Sequence, residues 1–203
     1  MFLGHYGLAF AAKRAAPRTS LGALAFAAQF LDELWPILLL LGVEQVRIVP
    51  GLMATSPLDF VSYPYSHSLA MAVMWGALIG GVYYLLRRYG RGTWVIAILV
   101  VSHWFLDLVV HRPDLPLWPG PNSSKFGLGL WNSVAATYVI EFAIFGIGIA
   151  IYLRATRARD RIGSWGLWAY ILVLAVIYLA SGSPPPSEKA LAGTALGLWL
   201  FVP

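Results

Sequence analysis

The chain has 203 residues, 59% of them hydrophobic and only 11% charged, with a net charge of +5 and no cysteine. A soluble domain carries about a quarter charged residues, so this chain has too little polar surface to dissolve and reads as an all-α, polytopic membrane helix bundle, one membrane domain over residues 1–203. The missing cysteine excludes disulfides, thiolate metal sites and thiol nucleophiles. The basic excess sits in short loops between apolar runs, where it reports membrane orientation better than a nucleic-acid surface, so no nucleic-acid partner is expected.

The first segment, MFLGHYGLAFAAKRAAP, is too short to span, and its basic pair Lys13 and Arg14 follows the apolar part, unlike a signal peptide. It predicts a short re-entrant or interfacial helix over residues 2–12. If that helix rises from the cytoplasmic side, His5 lies about 12 Å deeper than Lys13, at 1.5 Å per residue. Spans of roughly 20 residues follow at about 20–42, 67–86, 93–111, 130–153 and 164–181, and a sixth begins near Ala190 and is cut by Pro203.

Ten of the 14 basic residues fall in 13–18, 87–92 and 154–163, and four (Arg47, Arg112, Lys125 and Lys189) fall in the alternate loops. The positive-inside rule makes the first set cytoplasmic, in a bacterial-type inner membrane. The outer loops, 43–66 and 112–129, are proline-rich and short enough to fold over the bundle. Gly76 and Gly80 form a small-xxx-small pair that suits close packing of the second span on a neighbour.

Polar residues inside these spans carry the chemistry. In the third span, SHWFLDLVVHRPD places His103, Asp107 and His111 at i, i+4 and i+8, on one helical face. Ionisable groups in hydrocarbon are costly, so that face points into the bundle. Asp32 lies halfway along the first span, and Pro36 four residues later lacks the N–H that would bond the Asp32 carbonyl. Glu33 points about 100° away from Asp32. His67 opens the second span within Tyr65-Ser66-His67-Ser68, and Glu141 sits mid-span in the fourth.

Plainer readings exist for several of these. His111-Arg112 also reads as an interfacial cap, and His67 as a head-group residue behind a capping Ser66. Taken together, the imidazoles and carboxylates form a candidate ligand set: His5, Asp32, His67, His103, Asp107 and His111. Without thiolates, that set suits one or two divalent ions, zinc or manganese foremost.

The order of these elements resembles the bacterial inner-membrane proteins described as membrane-bound metal-dependent hydrolases, of the LexA-regulated, YdjM-like type. The matching positions are His5, Asp32, Ser66-His67-Ser68, His103 with Asp107, and Leu117-Trp118-Pro119, over about residues 1–120. Two departures stand out. The acidic motif reads Phe30-Leu31-Asp32-Glu33 where the family favours Pro-Asp-x-Asp, and Tyr63-Pro64-Tyr65 replaces a His-Arg; His111 and Asp114 are candidate replacements.

The resemblance implies a hydrolase of a lipid or lipid-linked (phospho)ester that uses metal-activated water. Glu33 or Glu141 would then be general base, and Arg112 and Lys125 would hold an anionic head group. Two other functions stay open at this point. One is a proton- or cation-coupled transporter or channel, with Asp32, His103, Asp107 and Glu141 as the relay. The other is a non-catalytic membrane subunit.

Overall fold

The computed structural model describes residues 1–181 and 183–197. Among them, five helices are long and apolar enough to cross a membrane: α2 (Leu21–Leu40), α4 (Leu69–Arg87), α5 (Gly90–Val110), α6 (Val134–Ala155) and α7 (Arg161–Ala180). Each lies within a few residues of the span expected from hydropathy. A shorter helix, α1 (Leu3–Ala15), precedes them. The one-turn α3 (Pro64–His67) leads into α4, and α8 (Glu188–Gly197) follows α7. The sixth span expected from Ala190 is a ten-residue helix in its described part, packed on α2 and β1, and its remainder lies outside the described residues.

Local chemistry sets the helix boundaries. Ser20, Ser68, Ser133 and Asp160 each accept a hydrogen bond from a backbone N–H in the first turn of α2, α4, α6 and α7, which removes an unpaired donor from a helix end. The cap of α4 is thus Ser68 rather than Ser66. Helix α2 carries through Pro36.

α2 is the most buried span and α7 the least. Beyond Arg161 in its first turn, the exposed face of α7 is apolar, with Ile162, Trp165, Leu172, Val176 and Leu179, as expected of a helix that faces lipid. α1 is buried against α6, α2 and α5. Its approach to α6 is backbone on backbone: a Cβ built on Gly148 would lie 2.0 Å from the Gly7 carbonyl oxygen, and one on Gly7 would lie 2.6 Å from that of Ile144. The Gly76–Gly80 pair packs α4 on α5, with Gly76 against the Ala97 carbonyl and Gly80 against that of Thr93.

The two outer loops fold into small antiparallel ladders. Strand β1 (Gln45–Ile48) pairs with β2 (Leu58–Ser62), and β3 (Leu115–Pro116) with β4 (Lys125–Phe126). These pieces lock onto the outer helix ends. Val43 and Glu44 N–H donate to the Leu38 carbonyl of α2, Leu128 N–H to that of Leu108 in α5, and Gly129 N–H to that of His111. The loops therefore satisfy carbonyls that a helix end leaves open, and they form a lid over one end of the bundle.

Candidate metal centre

Four elements bring six side chains to one point in the half of the bundle under this lid. Asp32 comes from α2, His67 from the end of α3, His103 and Asp107 from α5, and His111 from the residue after α5. His5 comes from the buried α1, which brings its ring against that of His103. All four histidines of the chain are buried, as is Asp107.

Asp107 is the hub. Its Oδ2 lies 3.2 Å from His103 Nε2, 3.7 Å from His67 Nε2 and 3.9 Å from His111 Nε2. Its Oδ1 lies 3.1 Å from His5 Nε2 and pairs with the Met1 ammonium. Asp32 Oδ1 lies 3.3 Å from His67 Nε2 and 3.5 Å from His103 Nε2. The His5 ring stacks on that of His103, with centroids 3.7 Å apart.

The far nitrogens define the chemistry. His103 Nδ1 is 2.8 Å from the Ala28 carbonyl oxygen, which can only accept, so Nδ1 donates. His111 Nδ1 is 3.0 Å from Asp114 Oδ1. His67 Nδ1 is 2.7 Å from Ser66 Oγ, whose own proton goes to Glu44 Oε2 at 2.6 Å. In each case the hydrogen-bond network assigns the proton to Nδ1 and leaves Nε2 able to offer a lone pair. Nδ1 bound to an oxygen acceptor is the usual outer support of a metal-ligating histidine.

The residues fit a cation. Ligands about 2.1 Å from one ion lie roughly 3.0–3.4 Å from each other, close to the spacings around Asp107 and Asp32. His103 Nε2 is buried and makes no hydrogen bond, although it faces two carboxylates. Two overlapping triads, His5–His103–Asp107 and Asp32–His67–His103, each place one ligand atom per residue within 4.8 Å of the others.

Other expected site residues take different places. Glu141 is buried, but both its oxygens accept N–H groups at the start of α1, from Phe2 at 3.0 Å and Gly4 at 2.9 Å. A carboxylate there complements the positive end of α1 and fixes the helix that carries His5. Glu33 is buried beside Asp32 in sequence, round the helix from it. Arg112 is paired with Asp59 and with Asp114 Oδ2, at 3.2 Å in the latter case. Lys125, on β4, lines with Arg47, Asp59, Arg112 and Asp114 an open cleft of about 410 Å³ on the outer face.

Sequence reading missed Glu44, Tyr63 and the outer-support role of Asp114. Tyr63 donates to Asp114 at 2.8 Å. Burial, and then the charge of Asp114, push the Tyr63 phenol well above its ordinary pKa. Burial would raise Asp114, but hydrogen bonds from His111, Tyr63 and Arg112 hold it below the usual carboxylate range. Phe60 and Trp131 pack on the His111 ring at 4.8 and 4.5 Å between centroids. The only sequence signal for these partners was a small set of acids in loops with few charges.

Fold and site together define a multi-pass membrane protein with a buried histidine–aspartate centre able to hold a metal ion. The family model of the YdjM inner membrane proteins matches residues 3–183, and the chain belongs to that family. Comparison with curated proteins and with solved structures gave no match.

Proposed function

We propose that this protein is a membrane-embedded hydrolase, dependent on one or two divalent ions, that cleaves a lipid or lipid-linked ester, most readily a phosphoester. One observation carries the reading. Three imidazoles, His67 at the end of α3 and His103 and His111 on α5 and its cap, each engage Nδ1 with an oxygen acceptor; Nε2 of His67 and His103 turns toward Asp32 and Asp107, and that of His111 toward Asp107. Imidazole and carboxylate donors without thiolate favour zinc or manganese. Such an ion, when bound, supplies an activated water nucleophile and positive charge for a phosphoryl or acyl oxygen.

The chain's own residues have separable tasks. His67, His103, His111 and the Oδ2 edge of Asp107 would hold the ion. His5 braces the centre by stacking on His103 and bonding Asp107. Asp32 marks the open side: its side chain is 38% exposed, whereas those of His5, His67, His103, His111 and Asp107 are at most 3% exposed. Asp32 lies at the twelfth of the 20 positions of α2, at hydrocarbon depth. An opening there favours a substrate that arrives within the bilayer. Glu33, the neighbour of Asp32 in sequence, and Glu141, whose oxygens accept from the start of α1, are the two candidate bases. Lys125 and Arg47 in the outer cleft would meet an anionic head group.

The test is elemental analysis of protein purified in detergent, before and after exposure to zinc and manganese, paired with phosphate release from lipid phosphoesters. Wild type should retain ion in whole-number ratio. His103→Ala and Asp107→Asn should bind it about 100-fold or more weakly, since outer supports alone are worth about 10–100-fold. Failure of wild type to retain either metal would overturn the reading.

A further inference from the structure

We propose that Glu44, in the outer loop between α2 and β1, is a positioning residue that sets which nitrogen of His67 carries the proton, and so leaves the lone pair of Nε2 to the metal centre, acting through the hydroxyl of Ser66. The proposal rests on the metal-centre reading above and extends it beyond the six residues that meet there.

Glu44 is 2% exposed and receives three donors. Tyr65 N–H and Ser66 N–H both reach Oε1 at 2.8 Å, and Ser66 Oγ reaches Oε2 at 2.6 Å. Its own N–H is tied to the Leu38 carbonyl of α2 at 3.2 Å. The carboxylate therefore clamps α3 to the outer end of α2 and fixes the direction of one hydroxyl. A carboxylate is acceptor only, and a serine hydroxyl has one proton. With that proton spent on Glu44, Ser66 Oγ can only accept from His67 Nδ1, and Nε2 is left to face Asp32 and Asp107.

His67 differs here from its partners. His103 and His111 give Nδ1 directly to acceptors, the Ala28 carbonyl and Asp114. His67 gives it to a hydroxyl, which can reverse. In Glu44→Gln, the amide oxygen can keep the two backbone donors while the NH2 group points at Ser66 Oγ. The hydroxyl proton then turns to His67 Nδ1, and the imidazole proton moves to Nε2, where it blocks a cation. Ser66→Ala keeps the two backbone N–H bonds to Glu44 and merely removes the acceptor, so His67 loses its bias without being reversed.

Two measurements decide it, both independent of turnover. The first is nitrogen NMR of metal-free protein labelled with 15N-histidine, which has only four residues to assign. His67 Nδ1 should carry a proton in wild type and none in Glu44→Gln, with His103 and His111 unchanged. The second is zinc affinity by chelator competition. Ser66→Ala should weaken binding about 10-fold and Glu44→Gln about 100-fold, within the range for outer supports of metal ligands.

A protonated His67 Nδ1 in Glu44→Gln, or equal affinity in all three proteins, overturns the proposal. Should Glu44→Gln fail to fold, Ser66→Ala decides alone: an affinity equal to wild type sinks the relay. If no protein binds zinc, the nitrogen spectra still judge the relay, and only the hydrolase reading falls.

Discussion

Two cations in the outer loops, Arg112 and Lys125, look alike in sequence and differ in their surroundings. Arg112 spans Asp59 and Asp114, and Asp114 in turn holds His111 Nδ1. Lys125 is exposed on a two-residue strand at the edge of the cleft. Arg112→Ala should therefore act on the fold, with a loss of about 1 kcal/mol for a charged hydrogen bond at a site over a third exposed, and should weaken metal binding through His111. Lys125→Ala should leave stability within about 0.5 kcal/mol and raise KM for an anionic substrate with little change in kcat. Chemical denaturation in detergent and steady-state kinetics separate the two; identical behaviour of both variants would remove the distinction.

A helix too short to cross the membrane can hold a functional side chain at depth only if its neighbours bury its backbone closely. α1 meets this condition through the Gly7–Gly148 contact and through the Glu141 carboxylate at its amino end. In Gly148→Ala the new methyl would meet backbone atoms, which cannot rotate away, so α1 must part from α6. The expected cost is about 1–3 kcal/mol or more, with weakened metal binding because His5 rides on α1. Gly146→Ala, on the same helix with open space at its Cβ, should be neutral or slightly stabilising. Thermal unfolding of the pair checks the claim; equal melting temperatures would sink it.

The whole molecule should sit with residues 13–18, 87–92 and 154–163 in the cytoplasm, because lysine and arginine are retained on that side. The lid and the metal centre then belong to the outer half of the membrane. The chain has no cysteine, so single-cysteine variants need no other change. A cysteine at Ser123 should react in intact cells with a thiol reagent that cannot cross the inner membrane, and one at Gly90 should not; the opposite pattern would invert the topology. A spin label in place of Asp32, at the open side itself, should collide more with oxygen, which partitions into lipid, than with a water-soluble nickel complex. Preference for the nickel complex would mean that the centre opens to water and that the substrate need not be a lipid.

The sequence by itself determined the spans and the ionisable residues that must face inward, because each follows from local hydropathy or helical spacing; loop charge sets the expected direction of the spans. His5 entered the candidate set by counting the helical rise from Lys13, and the structure stacks its ring on that of His103. Only the tertiary structure decided how those residues are used. Chain reversal in the outer loops brings Glu44 to Ser66 and Arg112 to Asp59; no spacing rule links positions 22 or 53 residues apart. The direction of a hydrogen bond depends on every donor and acceptor around it, so the nitrogen that each imidazole presents to the centre is a property of the packed molecule.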